Sequence, residues 1–317
     1  MQEHRGFPWF VHSLATNLST YCPVNCPHCL WKERQQRLQK RAMSEEEIVD
    51  LVNMASILGI KEIVASGGEP FIRPDLLASL SHLCLNHNLG LHAITSANWA
   101  VDKQKALDML RMTGPWSRLA VSCDDFHQTK IPIEYCINVL YAAKDLGINT
   151  CVATIDNADS VLRKIPSDLM DGISVISQPL ISTHHQSWKE LSKPCVNMAV
   201  PYCENGKYIY ACCGDLCDLE IDSPVYLGTV KGIQANGLAI EKLQLIRFLR
   251  LFGPLGLYSA VNAGSIDKSL KFTSHCKLCT SIFDKPHSRE KLANFLQNEG
   301  VIARIAIAEA VLFSNTY

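Results

Sequence analysis

From about residue 13 to residue 180, short β-prone runs alternate with segments of helical period, and this alternation limits the fold more than any other feature of the chain. A strand followed by a helix and another strand folds back as a parallel pair, so the pattern predicts an α/β fold built from βαβ units. Strands are expected at residues 14–20, 62–66, 91–96, 119–123, 150–155 and 172–177. Between the first two, Ser44 offers an N-cap with Glu47 three residues on, and Ile48, Leu51, Val52, Ala55 and Leu58 recur at helical spacing. Segments 74–85 and 133–146 carry similar apolar stripes, Leu76, Leu80 and Leu83 in one and Cys136, Val139, Leu140 and Ala143 in the other, which should face the sheet.

After about residue 185 the alternation stops. Cysteines, glycines and short turns take over, which suggests a smaller unit organised by a metal centre rather than by a large apolar core. The expected division is therefore residues 1–185, 186–285 and a C-terminal helical segment at 286–317, in which 289–313 reads as a helix interrupted near Gly300. No internal repeat, low-complexity tract or Ser/Gly-rich linker marks the boundaries.

Composition narrows the function. The 317 residues suffice for one elaborated domain or a large one carrying a smaller one. A formal net charge of -1 gives no broad cationic field, so nucleic acid is not an expected partner. The first residues lack a signal-peptide pattern, and no stretch is long and apolar enough to span a bilayer, so a soluble cytoplasmic protein is expected. Fourteen cysteines in a reducing compartment point to thiols and ligands rather than disulfides. Cys84, Cys123, Cys136 and Cys151 are scattered and are expected to pack.

Cys22, Cys26 and Cys29 lie on one tight loop after the first expected strand. Thiolates of this kind suit zinc or iron–sulfur clusters. Zinc would need a second nearby pair and leaves Cys22 without a task. A ferredoxin-like cluster would want a fourth thiolate, and none follows until Cys84. Three ligands on a cubane leave one iron open. Forty residues on, Ser66-Gly67-Gly68-Glu69-Pro70 ends the second strand, where two glycines let the backbone approach a ligand and expose its amides, and Glu69 offers a carboxylate to a cationic amine. Ser122-Cys123-Asp124-Asp125-Phe126-His127 ends the fourth strand, on the rim where such folds place their chemistry. Asp124 and His127 suit either capping of the next helix or substrate binding, and Asn98 after the third strand is a candidate of the same kind.

These residues resemble the radical S-adenosylmethionine (SAM) superfamily, whose signature is C-x3-C-x2-C on the loop after the first strand of a partial barrel. The resemblance implies a partial (β/α)6 TIM-like barrel, a [4Fe-4S] cluster on Cys22, Cys26 and Cys29, and SAM on its open iron. It also implies His28 near the adenine, Gly67, Gly68, Glu69 and Pro70 at the methionine amino group, and Ser122 and Asp124 in contact with the cofactor.

The later cysteines resemble the small cysteine-rich twitch domain, a shortened relative of the SPASM domain. In that pattern Cys195, Cys212, Cys276 and Cys279 would supply four thiolates to a second, auxiliary [4Fe-4S] cluster, with Gly206 before Cys212 and Gly228 at a further characteristic turn. The spacing from Gly206 to Cys212 departs from the usual one, so Cys203 or Cys213 could replace Cys212. Four such sulfurs also satisfy tetrahedral zinc.

The resemblance implies an enzyme that reductively cleaves SAM to a 5′-deoxyadenosyl radical and abstracts hydrogen from a C–H bond, with an external donor such as flavodoxin or ferredoxin. Loss of an electron to a second cluster would give oxidation or cross-linking. Return of hydrogen from a thiol, for which Cys213 is the candidate beside Cys203 and Cys217, would give epimerisation. A natural-product substrate is expected, a ribosomal peptide ahead of a sugar or aminocyclitol. The 21 residues before Cys22 are too few for a separate leader-peptide-binding domain. The rival is a noncatalytic iron–sulfur or zinc protein for electron transfer or sensing, which would have no need of Glu69 beside the cradle.

Overall fold

The computed structural model describes residues 6–8, 10–26, 29, 41–155, 159–178, 187–195, 200–212, 223–262, 264, 269 and 271–313. Strands β1 (Ser13–Asn17), β2 (Glu62–Ser66), β3 (Gly90–Thr95), β4 (Arg118–Ser122), β5 (Thr150–Ile155) and β6 (Ser174–Gln178) lie side by side in chain order, all parallel. Helices Glu45–Ile57, Pro74–Asn86, Lys103–Thr113 and Ile133–Asp145 form the crossovers. This is the α/β order of a partial TIM-like barrel. The first strand stops three residues short of the expected end because Leu18 and Thr20 hydrogen-bond to Met43 and Arg41 instead of to β2. The helix Lys103–Thr113, capped by the Asp102 side chain, was not anticipated, because its apolar stripe is short and its remaining residues are polar.

Period-2 alternation gives the sheet two faces. Leu14, Ile63, Ala65, Leu91, Ala93, Leu119, Val121 and Val152 share the main core with the stripes Leu51, Leu76, Leu80, Val139 and Leu140 of the helices. The opposite, inner face is layered. Ser13, Glu62 and His92 form a polar end, Ala15, Val64 and Ile94 an apolar middle, and Asn17 and Ser66 the C-terminal rim.

Beyond residue 185 the sheet continues. Strand β7 (Tyr202–Glu204) runs parallel to β1 in the register Ala15 to Tyr202 and Thr16 to Cys203, and β8 (Tyr208–Tyr210) and β9 (Tyr226–Thr229) follow antiparallel. The sheet therefore crosses the boundary expected at residue 185. Helices Val230–Asn236, Ile240–Val261, kinked at Gly253 and Pro254, and His275–Phe283 come next. The terminal helix expected to be interrupted near Gly300 is two helices, Pro286–Gln297 and Glu299–Phe313, broken at Asn298. Among the described residues no helix is long and apolar enough to cross a membrane.

Candidate active site

The two N-terminal motifs are one structure. After β1 the chain turns into the cysteine loop, and the end of β2 docks against it. The Gly68 amide donates to the Ser19 carbonyl at 3.2 Å and the Glu69 amide to the Tyr21 carbonyl at 3.0 Å. A Cβ on Gly67, whose φ is +95°, would lie 2.2 Å from Asn17 Cβ, and one on Gly68 would lie 2.1 Å from the Tyr21 carbonyl oxygen. This corrects one expectation: the amides of Gly68 and Glu69 are used by the cysteine loop and are not offered to a ligand. The glycines are needed because two backbones meet there.

Cys22, Cys26 and Cys29 gather around a small apolar cluster of Val24 and Ile131, with Tyr135 against it. The Cys29 amide donates to the Cys26 carbonyl. Burial pushes the Cys22 thiol up, while the Val24 and Asn25 amides aimed at its sulfur pull it down. Cys26 is pushed up to about 12, first by burial and then by Cys22 and Cys29. Three such sulfurs repel one another as thiolates, and a bound cationic iron centre would offset that repulsion. The donor set therefore fits an iron–sulfur cluster. Among the described residues, no three Cys, His, Asp or Glu side chains form a group that could hold a single metal ion. His28 lies outside the described residues.

Glu69 is buried at 3% exposure and caps the single 3-10 turn Pro70–Ile72 by accepting from the Phe71 amide. Its other partners come from the end of β3. Thr95 Oγ1 donates at 2.8 Å, the Ser96 amide at 2.9 Å and Ser96 Oγ at 2.5 Å. Burial raises its pKa, and these hydrogen bonds only partly counter the rise. The carboxylate is thus oriented for a cation that would complete its environment. Thr95 Oγ1 in turn accepts from Trp99 Nε1, and Asn98 Oδ1 lies 3.2 Å from Ser96 Oγ as an alternative acceptor for the hydroxyl that Glu69 uses, so Asn98 adjoins the site through Ser96. Sequence reading missed Thr95 and Ser96; their position at the C-terminal end of β3, on the same rim as Glu69, was the available signal.

At the end of β4 the geometry selects capping for Asp124. Its Oδ1 accepts from the His127 amide at 2.9 Å and its Oδ2 lies 2.8 Å from His127 Nδ1, at the start of the short helix Asp125–Gln128. Its charge reaches Cys26, so the pair belongs to the surroundings of the cradle. The Ser122 carbonyl accepts from Cys136 Sγ. Cys84, Cys123, Cys136 and Cys151 are all buried, as expected of packing cysteines.

Three of the four expected auxiliary cysteines come together. Cys276 and Cys279 lie on helix His275–Phe283, capped by Ser274, and His275 Nε2 lies 3.2 Å from the Lys193 carbonyl, which fixes the segment leading to Cys195. Burial raises the Cys279 thiol well above its ordinary value, and Cys195 and Cys276 raise it further. Cys212 ends the stretch after β8, buried in the main core. Gly206 has a local explanation: with Asn205 it makes the β7–β8 turn at positive φ, packed on Met43. Gly228 lies within β9. Cys203 is fully buried in the main core, held by Thr16, and burial pushes its thiol up to about 12. Cys213 and Cys217 lie outside the described residues.

Residues 16–157 match the model of the Radical SAM superfamily. The chain is 32% identical over 115 residues to the GTP 3′,8-cyclase of Paenarthrobacter nicotinovorans, covering 35% of this chain and 31% of that protein. It is 23% identical over 201 residues to the GTP 3′,8-cyclase of Listeria welshimeri serovar 6b, covering 58% and 59%. It spans less than a third of the length of the first curated relatives it matches. Native anSMEcpe with bound AdoMet and Cp18Cys peptide shares the fold, with a TM-score of 0.54 at 11% identity, over 94% of this chain and 99% of that one. The docked motifs and these likenesses converge: the chain carries a Radical SAM superfamily domain across residues 16–157.

Proposed function

We propose that this chain holds a [4Fe-4S] cluster on Cys22, Cys26 and Cys29 and binds SAM beside it, as an enzyme that abstracts hydrogen from a substrate C–H bond. The observation that carries the reading is the buried Glu69 carboxylate, oriented by Thr95, Ser96 and the Phe71 amide next to the cysteine loop. Cluster and SAM, when bound, supply the electron and the carbon radical, chemistry no side chain of the chain can provide. The protein's part is to receive the SAM ammonium on Glu69, to hold Glu69 through β3, and to keep the cradle rigid through Gly67 and Gly68. Gly67, Gly68, Pro70 and Ser122 act through the backbone, Asp124 through His127, and His28 toward the adenine.

A second cluster on Cys195, Cys276 and Cys279, with Cys212 as fourth ligand, belongs to the same proposal, in a twitch-like unit at 186–285 followed by the helices of 286–317. The gathering of three of these thiols supports it. With an electron acceptor there, abstraction leads to oxidation or cross-linking; with Cys213 as hydrogen donor it leads to epimerisation. A natural-product peptide or a sugar-like molecule remains the proposed substrate, reduced flavodoxin or ferredoxin the proposed donor, and the cytoplasm the proposed location. The likeness to GTP 3′,8-cyclases adds GTP as the first substrate to try.

Anaerobically reconstituted protein given SAM and dithionite should release 5′-deoxyadenosine, and Glu69→Gln should weaken SAM binding by about tenfold or more, since it removes a charge-assisted contact. An intact cluster that releases none would overturn the reading.

A further inference from the structure

On β7, β8 and β9 the inner face of the sheet changes character. Cys203, Ile209, Ala211, Val225 and Leu227 join the helix-side core, so the alternate positions Tyr202, Tyr208, Tyr210 and Tyr226 turn to the inner face. Four of the chain's nine tyrosines thus form one surface. Tyr210 pairs with both Tyr202 and Tyr226 across the strands, and the Tyr226 ring centroid lies 5.6 Å from that of Tyr210 and 6.3 Å from that of Tyr208. The surface is continuous with Ala15, Val64 and Ile94. Ile94 stands two residues before Ser96, which holds Glu69. Asn17, whose Cα and Cβ lie against Gly67, accepts from the Tyr202 hydroxyl at its Oδ1.

Tyr202 and Tyr210 are buried, whereas Tyr208 and Tyr226 are half-buried and keep ring surface accessible. Two polar groups accompany them. Glu204, two residues after Tyr202, shares its face and by the β1–β7 register stands beside Asn17 at the rim. Lys207 Nζ lies 5.2 Å from the centroid of the Tyr208 ring. Accessible aromatic faces stack on flat rings, a carboxylate accepts from a ring N–H edge, and a lysine meets a phosphate.

We propose that this tyrosine surface is the ring-binding wall of the substrate site, and that its ligand is a purine nucleotide. Tyr208 and Tyr226 stack on the base, Glu204 accepts from its N–H edge, and Lys207 meets the phosphate. The proposal rests on the reading of the adjoining rim as the SAM site, because that reading places the reacting carbon next to this wall.

The test uses the full chain, anaerobically reconstituted, in equilibrium dialysis with GTP and ATP in the presence of SAM, with 5′-deoxyadenosine release measured in parallel. Saturable binding of either nucleotide is expected. Tyr226→Leu and Tyr208→Leu should each weaken it by about tenfold, and Tyr226→Phe, which keeps the ring, should leave it near wild type. Glu204→Gln should change the GTP to ATP preference. Absence of saturable binding for both nucleotides overturns the wall, as does binding that the two leucine variants leave unchanged. Binding of an aminocyclitol such as 2-deoxystreptamine in place of the nucleotides also overturns it. Should Tyr226→Leu fail to fold, Tyr208→Leu at the rim decides. Lost nucleotide binding with SAM cleavage intact fails the wall alone; nucleotide binding without SAM cleavage fails the radical reading alone.

Discussion

Gly68 meets the Tyr21 carbonyl so closely that any side chain must push the cysteine loop away from β2. Gly68→Ala should therefore lower the iron bound on reconstitution and lower the melting temperature by roughly 3–10 °C, as overpacking against backbone does in a chain of this size. Iron and melting temperature both at wild-type levels would refute the docking. Glu69 carries a prediction of opposite sign. Its folded pKa is raised by burial, so its contribution to stability is full below the ordinary carboxylate range and is lost as pH rises through the folded value. In protein free of cluster and SAM, Glu69→Gln escapes that loss. Its melting temperature relative to wild type should climb with pH, while its SAM binding falls. A difference that stays flat from pH 4 to pH 8 on the order of one degree would contradict the buried, only partly compensated carboxylate. The sequence made Glu69 legible as a ligand group, but Thr95 and Ser96 were not, because their role depends on β2 and β3 ending at the same rim.

Elements were legible where one signal decided them. The strand at 62–66 and the strand at 150–155 match β2 and β5, and Ser44 with Glu47 does form the capping box of helix Glu45–Ile57. Ser44→Ala should cost about 1 kcal/mol, or roughly 2–4 °C in melting temperature. Arg73, which precedes helix Pro74–Asn86 without a side-chain cap bond, should tolerate alanine. Calorimetry on the two variants checks the contrast, and equal losses would count against the capping account. The hairpin of β7 and β8 was hidden for a different reason. Its strands have three residues each, and the cysteines around them suggested a metal-organised loop. Asn205-Gly206 between alternating residues was the hairpin signal, and Tyr208 and Tyr210, alternating with Ile209, already carried its period. Its partner could not be read locally, since β7 pairs with β1 nearly two hundred residues earlier, where only the tertiary fold brings them together.

Across the whole molecule, the sheet ties both halves of the chain together, yet the two cysteine groups are framed separately. The first hangs between β1, β2 and β4. The second sits in the helical layer, where the Cys195 amide donates to the Leu249 carbonyl of helix Ile240–Val261 and Cys279 is buried between elements. Independent frames predict independent losses. Cys276→Ser combined with Cys279→Ser should remove about four of about eight irons, leave substrate-free SAM cleavage near wild type, and abolish product formation where the substrate radical must be oxidised. Cys26→Ser should instead abolish SAM cleavage while keeping the second set of irons. Iron counting, Mössbauer spectra and 5′-deoxyadenosine yield measure both arms. Zinc at the C-terminal thiols, or no change in iron on their removal, would sink the second cluster and leave the radical chemistry to the first site alone. A joint loss of iron from either substitution would mean that β1–β7 pairing couples the two frames more tightly than their separate packing implies.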